Sequence, residues 1–129
     1  MSESHQFSIH YTLEEARALL PQIRGWLTAL STLDKHLQKS VRDVERLMST
    51  GRDHGGPTVE TYLKLQGEAM DVLGEFQKRQ ILIKDMKRGL IDFPAIINER
   101  EVFLCWENGE DDIEFWHDLD AGYAGRERL

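Results

Sequence analysis

The side chains with the greatest chemical potential crowd into the last forty residues: Asp92, Cys105, Trp106, Glu110, Trp116, His117, Asp120 and Arg126. If a strand over 101–106 turns at Gly109 and returns, Cys105 and His117 approach each other. Such a pair could be a thiolate and imidazole for nucleophilic catalysis, or two ligands of a borderline-soft metal such as zinc, with Glu110 or Asp120 completing the shell. A plainer use stands beside each role. A lone cysteine amid Phe103, Leu104 and Trp106 serves as a small buried hydrophobe, and His117 can make a structural hydrogen bond to a neighbouring carboxylate.

Asp92 sits in LIDFP between strand-forming residues. If it faces inward it must find donors, and Arg88 and Arg126 are the candidates, as a salt bridge or around a site carboxylate. Trp106 and Trp116 could wall a pocket or simply pack a small core. Arg126 follows AGYAG, whose glycines allow a close return into the acidic cluster, as an ion-pair anchor or as the holder of an anionic ligand. No residue is assigned a catalytic role, and neither a metal nor a cofactor can be named. His5, His10, His36 and His54 are scattered, with no close pair to mark a metal site.

Motifs that would identify an enzyme directly are absent: no GxGxxG or GxxxxGK[ST] phosphate loop, no HExxH, no GxSxG and no paired cysteines. The formal charge of −7 is unevenly placed. Residues 1–100 carry fourteen acidic and fourteen basic side chains, whereas 101–129 carry nine acidic and two basic. A face that reads phosphate backbones needs clustered Lys and Arg, so nucleic acid is not an expected partner. The acidic end suits solubility, a basic partner or a cation.

Positioning these groups falls to a helical framework. Thr12 followed by Glu15 forms a capping-box signature, and a helix is expected to start there. Leu20, Ile23, Leu27, Leu30, Asp34, Leu37, Val41, Val44 and Met48 then recur every four and three residues, a stripe on one helix face. Asp34 is its one polar rung. Pro21 is expected to kink this run into a short first helix and a long second part. STGRDHGGPTVET, with Gly51, Gly55, Gly56 and Pro57, reads as the loop, with His54 a loop residue and Thr58 capping a second long helix that runs to about residue 79. The first rod is on the order of 40 Å long, and two such rods on a short loop should lie antiparallel.

Ahead of the first helix, FSIHY could form a short strand. Beyond residue 80 the period changes. ILI, LIDFP and EVFLCW read as strands, the second stopped by Pro94, with KDMKRG and INER as turns. Val102, Leu104 and Trp106 oppose Phe103 and Cys105, both faces apolar, so this strand belongs at the centre of a small sheet. ENGEDD is an acidic turn, after which Ile113, Phe115 and His117 alternate with Glu114 and Trp116.

The expected architecture is therefore α+β, a single domain over 1–129: a long antiparallel helical hairpin over 12–79 and a small antiparallel β-sheet in the acidic segment 80–129. With 129 residues, 40% hydrophobic and 30% charged, the composition is that of an ordinary globular domain. MSESHQFSIH lacks an export signal, no run of apolar residues suits a membrane span, and Cys105 has no internal partner, so a reducing cytoplasm is the expected setting. Two helices bury only one face each. Trp26, Leu33 and Leu63 lie off the main seam and point to self-association, most simply as a dimer, or to a protein partner.

The combination of GLIDFPA at 89–95, LCW at 104–106, GE at 109–110, WH at 116–117 and GYAGR at 122–126, together with the opening FSIHYTLEEARALLPQIR, resembles a bacterial family of uncharacterised proteins, the domain of unknown function numbered 2203. The resemblance covers almost the whole chain. It implies a cytoplasmic protein with a helical hairpin and a β-containing end, and marks Asp92, Cys105, Trp106, Glu110, His117 and Arg126 as motif positions. It assigns them no chemistry. Two functions remain: a structural or interaction domain that self-associates, or a module, an enzyme among the options, that binds a small molecule or divalent metal through the C-terminal Cys, Glu, His, Asp and Arg cluster.

Overall fold

The computed structural model of the protein describes residues 4–50 and 56–129. The interhelical loop expected around Gly51, His54 and Gly55 lies outside them. Two helices and a five-stranded antiparallel sheet make the fold α+β: α1 (Leu13–Ser49), α2 (Pro57–Gln77), β1 (Leu82–Asp85), β2 (Leu90–Ile97), β3 (Arg100–Glu107), β4 (Phe115–Asp118) and β5 (Glu127–Arg128). The chain forms two compact units, Met1–Arg24 with Phe76–Leu129, and Gly25–Glu75.

The capping box forms as the sequence predicts. Glu15 N–H donates to Thr12 Oγ1 at 3.1 Å, and Thr12 N–H donates to Glu15 Oε1 at 2.8 Å, satisfying two amides at the start of α1. Pro21 does not divide the helix, because α1 runs through it as one element of 37 residues. Thr58 does not cap α2 either. Pro57 is the first helical residue, where its missing N–H costs nothing.

In the sheet-bearing unit the strands follow one another in chain order, β1-β2-β3-β4-β5, each antiparallel to its neighbour. The turn from β2 to β3 consists of Asn98 and Glu99, both left-handed with φ of 51° and 66°, which is the twist a two-residue hairpin needs. Gly109, at φ 109°, reverses the chain beyond β3.

Pro94 does not stop β2, which continues to Ile97. Its carbonyl accepts the Tyr11 amide at 2.8 Å, so its backbone polar groups face away from β3, and β1 pairs no further along β2 than Asp92. The missing N–H therefore points where no ladder bond is required. FSIHY forms no strand. Its amides are taken up singly: Phe7 donates to Glu101 beside the preceding Gln6, Ser8 and Ile9 to Gln80 Oε1, and Tyr11 to Pro94.

Val102 through Trp106 are all buried, as a central strand requires. Ile91, Phe93, Ala95, Val102, Leu104 and Trp106 share one face, with Tyr11 edge-on to Phe93 at 5.7 Å and the Arg24 guanidinium 5.5 Å from the Trp106 ring. Ala16, Leu20 and Ile23, at 0%, 3% and 0% exposure, supply the α1 side of this core. Burial of each large apolar side chain here is worth about 1.5–3 kcal/mol.

The unit Gly25–Glu75 is different. Its two helices lie side by side, and His36, Lys39, Ser40 and Asp43 of α1 share a shallow hollow of about 250 Å³ with Thr61 and Leu65 of α2. Of its described residues only Leu27, Leu30 and Ser40 are buried.

Candidate functional site

The strand register brings three of the expected residues together. Asp92 on β2 pairs with Cys105 on β3, and Phe103, two positions earlier on β3, pairs with His117 on β4. Directly opposed residues share a face, and alternation puts Phe103 and Cys105 on the same one. Asp92, Cys105 and His117 therefore project from three adjacent strands into one layer. All are buried, at 1%, 0% and 2% exposure. One potential ligand atom from each lies within 4.8 Å of the others.

His117 is held at both ring nitrogens. Nδ1 lies 2.8 Å from the Asp118 carbonyl oxygen, which can only accept, so Nδ1 carries a hydrogen. Nε2 faces both oxygens of Asp92, at 3.0 and 3.1 Å. Burial raises the Asp92 carboxyl above its ordinary value, opposed by the charge and hydrogen bond of His117 and by a hydrogen bond from Cys105. Desolvation, with the Asp92 charge next in size, pushes the Cys105 thiol up to about 12. The hypothetical thiolate and imidazole pair is thus not what the geometry builds: the histidine addresses Asp92, and the thiol is a buried donor to the same carboxylate.

Asp92 also does not take the arginines proposed for it. Arg88 Nε pairs with Glu107 at 2.7 Å, and Arg126 pairs with Glu110 at 2.6 Å. The Arg126 guanidinium meets two rings, its Cζ 3.9 Å from the Phe115 centroid and 4.5 Å from that of Tyr123. Its Nε has no hydrogen-bond partner.

Glu110 is spent on structure. Oε1 accepts the Glu107 amide at 2.7 Å, Oε2 accepts Arg126, and its carbonyl accepts Trp106 Nε1 at 3.0 Å. Glu110 therefore closes the acidic turn rather than a metal shell. Asp120 is exposed and stands apart from the buried cluster. The tryptophans do not wall a common pocket: Trp106 is fully buried, while Trp116 lines a hollow of about 250 Å³ with Ile97, Asn98 and Arg100. Both lie on the sheet face opposite Cys105.

The acidic end finds much of its countercharge within the chain. Glu101 is paired with His10, Glu107 with Arg88, Glu110 with Arg126, Asp112 with Arg17 and Asp118 with Arg100. Arg17 and Arg24, seven apart on α1, both reach the turn after β3: Arg17 the Asp112 carboxylate at 2.8 Å, Arg24 the Asp111 carbonyl at 3.1 Å. Their spacing was the only hint in the sequence.

One group escaped sequence reasoning altogether. His5 and His10, read as scattered, stack edge to face at 5.0 Å beside Glu101, and His10 Nε2 lies 2.7 Å from Glu101 Oε2. Burial pushes Glu101 up, but hydrogen bonds from His10 and from the Gln6 and Phe7 amides outweigh it and hold the carboxyl below its ordinary value. The partners are 91 residues apart in sequence, and nothing local announces them.

A family described as an uncharacterised conserved protein, DUF2203, has a sequence model that matches residues 10–129. No curated protein and no solved structure matches the chain. Among the described residues no helix is long and apolar enough to cross a membrane.

Proposed function

The chain belongs to the uncharacterised conserved family DUF2203, and since that membership carries no activity we propose on physical grounds that it is a protein-interaction domain that self-associates through its helical hairpin. The observation that carries this reading is the shortage of buried side chains in Gly25–Glu75, where among the described residues only Leu27 and Leu30 of the apolar stripe are buried, together with the polar Ser40. Most helical stability in proteins comes from packing an apolar face, and this pair does little of it.

The exposed apolar residues are not scattered. Val41 and Met48, 38% and 70% exposed, are seven apart on α1, and Leu63 and Met70, 57% and 65% exposed, are seven apart on α2. Seven residues are nearly two helical turns, so each pair shares a face. A second copy of the chain suits these faces, because two hairpins can complete one another's core as a four-helix bundle. The segment 25–75 carries eight acidic and six basic side chains, so two copies meet with little like-charge repulsion. The acidic balance of 101–129 speaks against nucleic acid, and the unpaired thiol of Cys105 supports a reducing compartment such as the cytoplasm.

Sedimentation over a wide concentration range tests this. The wild type should dimerise, and Leu63→Glu with Met70→Glu should yield a monomer that keeps its helical circular dichroism. A wild type that stays monomeric at every concentration refutes the reading.

A further inference from the structure

We propose that Asp92, Cys105 and His117 form a binding site for a divalent, zinc-class cation. Because His117 Nδ1 donates to the Asp118 carbonyl at 2.8 Å, a neutral imidazole turns the Nε2 lone pair toward Asp92 Oδ1 and Oδ2, at 3.0 and 3.1 Å. Lone pair and carboxylate repel, in a layer where water cannot screen them. Something positive must lie between them: a proton, or a metal ion.

Three features favour the metal. A histidine that ligates through one nitrogen while the other donates to a backbone carbonyl is the usual orientation of a metal-bound imidazole. The donors are one nitrogen, one sulfur and one carboxylate, the mixture zinc accepts, and metal–ligand bonds of ~2.0–2.3 Å place tetrahedral ligand atoms roughly 3.3–3.8 Å apart. One ligand atom from each residue lies within 4.8 Å of the other two, so side-chain adjustments of roughly 1 Å bring the three to ligand spacing and leave the fourth position to water. The third feature is the scaffold. The ligands come from β2, β3 and β4, neighbours in one ladder, and a site on paired strands is positioned more tightly than one on loops.

Binding displaces the thiol proton of Cys105, and the proton shared by Asp92 and His117 where that pair holds one, to solvent, leaving thiolate, carboxylate and neutral imidazole on the ion. Because the three ligands are buried, the ion enters as the chain folds. The site is independent of the helical interface, which lies in the other compact unit.

The test is refolding of untagged, chelator-treated full-length protein in the presence of Co²⁺, followed by removal of free metal, with metal content and absorbance both read. The expected result is about one cobalt per chain with a near-ultraviolet thiolate-to-cobalt charge-transfer band, the band lost in Cys105→Ser and kept in His5→Ala with His10→Ala. Folded wild type that retains no cobalt overturns the proposal. So does cobalt bound without the thiolate band, which places the ion elsewhere. The wild-type spectrum alone decides the matter if Cys105→Ser does not fold.

Discussion

Replacing Glu101 should release the segment ahead of α1 from the sheet. The Glu101 side chain is 8% exposed and receives three donors, Gln6 N at 2.8 Å, Phe7 N at 3.1 Å and His10 Nε2 at 2.7 Å. A hydrogen bond to a charged group contributes about 1.5–3 kcal/mol, but the freed amides and imidazole regain water once the segment lifts, so the three together lose about as much as one such bond rather than their sum. Glu101→Ala should cost about 2–3 kcal/mol and Glu101→Gln, which keeps one acceptor oxygen, about 1 kcal/mol. Urea denaturation gives the magnitude, and hydrogen exchange at Gln6 and Phe7 gives its location.

The acid dependence has a definite sign. The folded-state pKa of Glu101 lies below the ordinary 4.5, so its contribution is fully present above about pH 4.5 and is lost as pH falls through the folded value. Wild type should lose this increment on acidification and Glu101→Gln should not. If the variant and the wild type show the same amide protection at residues 6 and 7 and the same acid profile, the clamp contributes nothing and the reasoning fails.

Two further outcomes follow from local geometry. Thr12→Ala removes one half of the capping box and should lower stability by about 1 kcal/mol, with Glu15→Ala adding less than its own cost in the double variant because the two bonds are reciprocal; additive losses in urea titrations would contradict this. Glu99→Gly should raise stability by about 0.5–1 kcal/mol, since Glu99 holds φ 66° in a two-residue turn that favours Asn-Gly, and an unchanged or lower urea midpoint would count against it.

Much of the fold was legible because its causes are local. Thr12 and Glu15 are three residues apart and cap a helix wherever the chain goes afterwards, and the alternation in EVFLCW announced a strand apolar on both faces. The misreadings share one origin, which is that tertiary partners absorbed a local conflict. Pro94 should end a strand, yet its missing donor points where β1 has already finished. FSIHY alternates like a strand, but its amides found Glu101 and Gln80 instead of a ladder.

The chain by itself determined which residues could do chemistry, since thiol, imidazole and carboxylate are fixed by identity, and it placed Cys105 and His117 on strands that could meet. Register alone decided that Asp92 answers to His117 rather than to an arginine, and that Glu110 and Asp120 stay outside the cluster. A shift of one residue in the pairing of β2 with β3 would have turned Asp92 to the other face. Pairing depends on turns, twist and the burial of both faces together, and so it exists only once the sheet has formed.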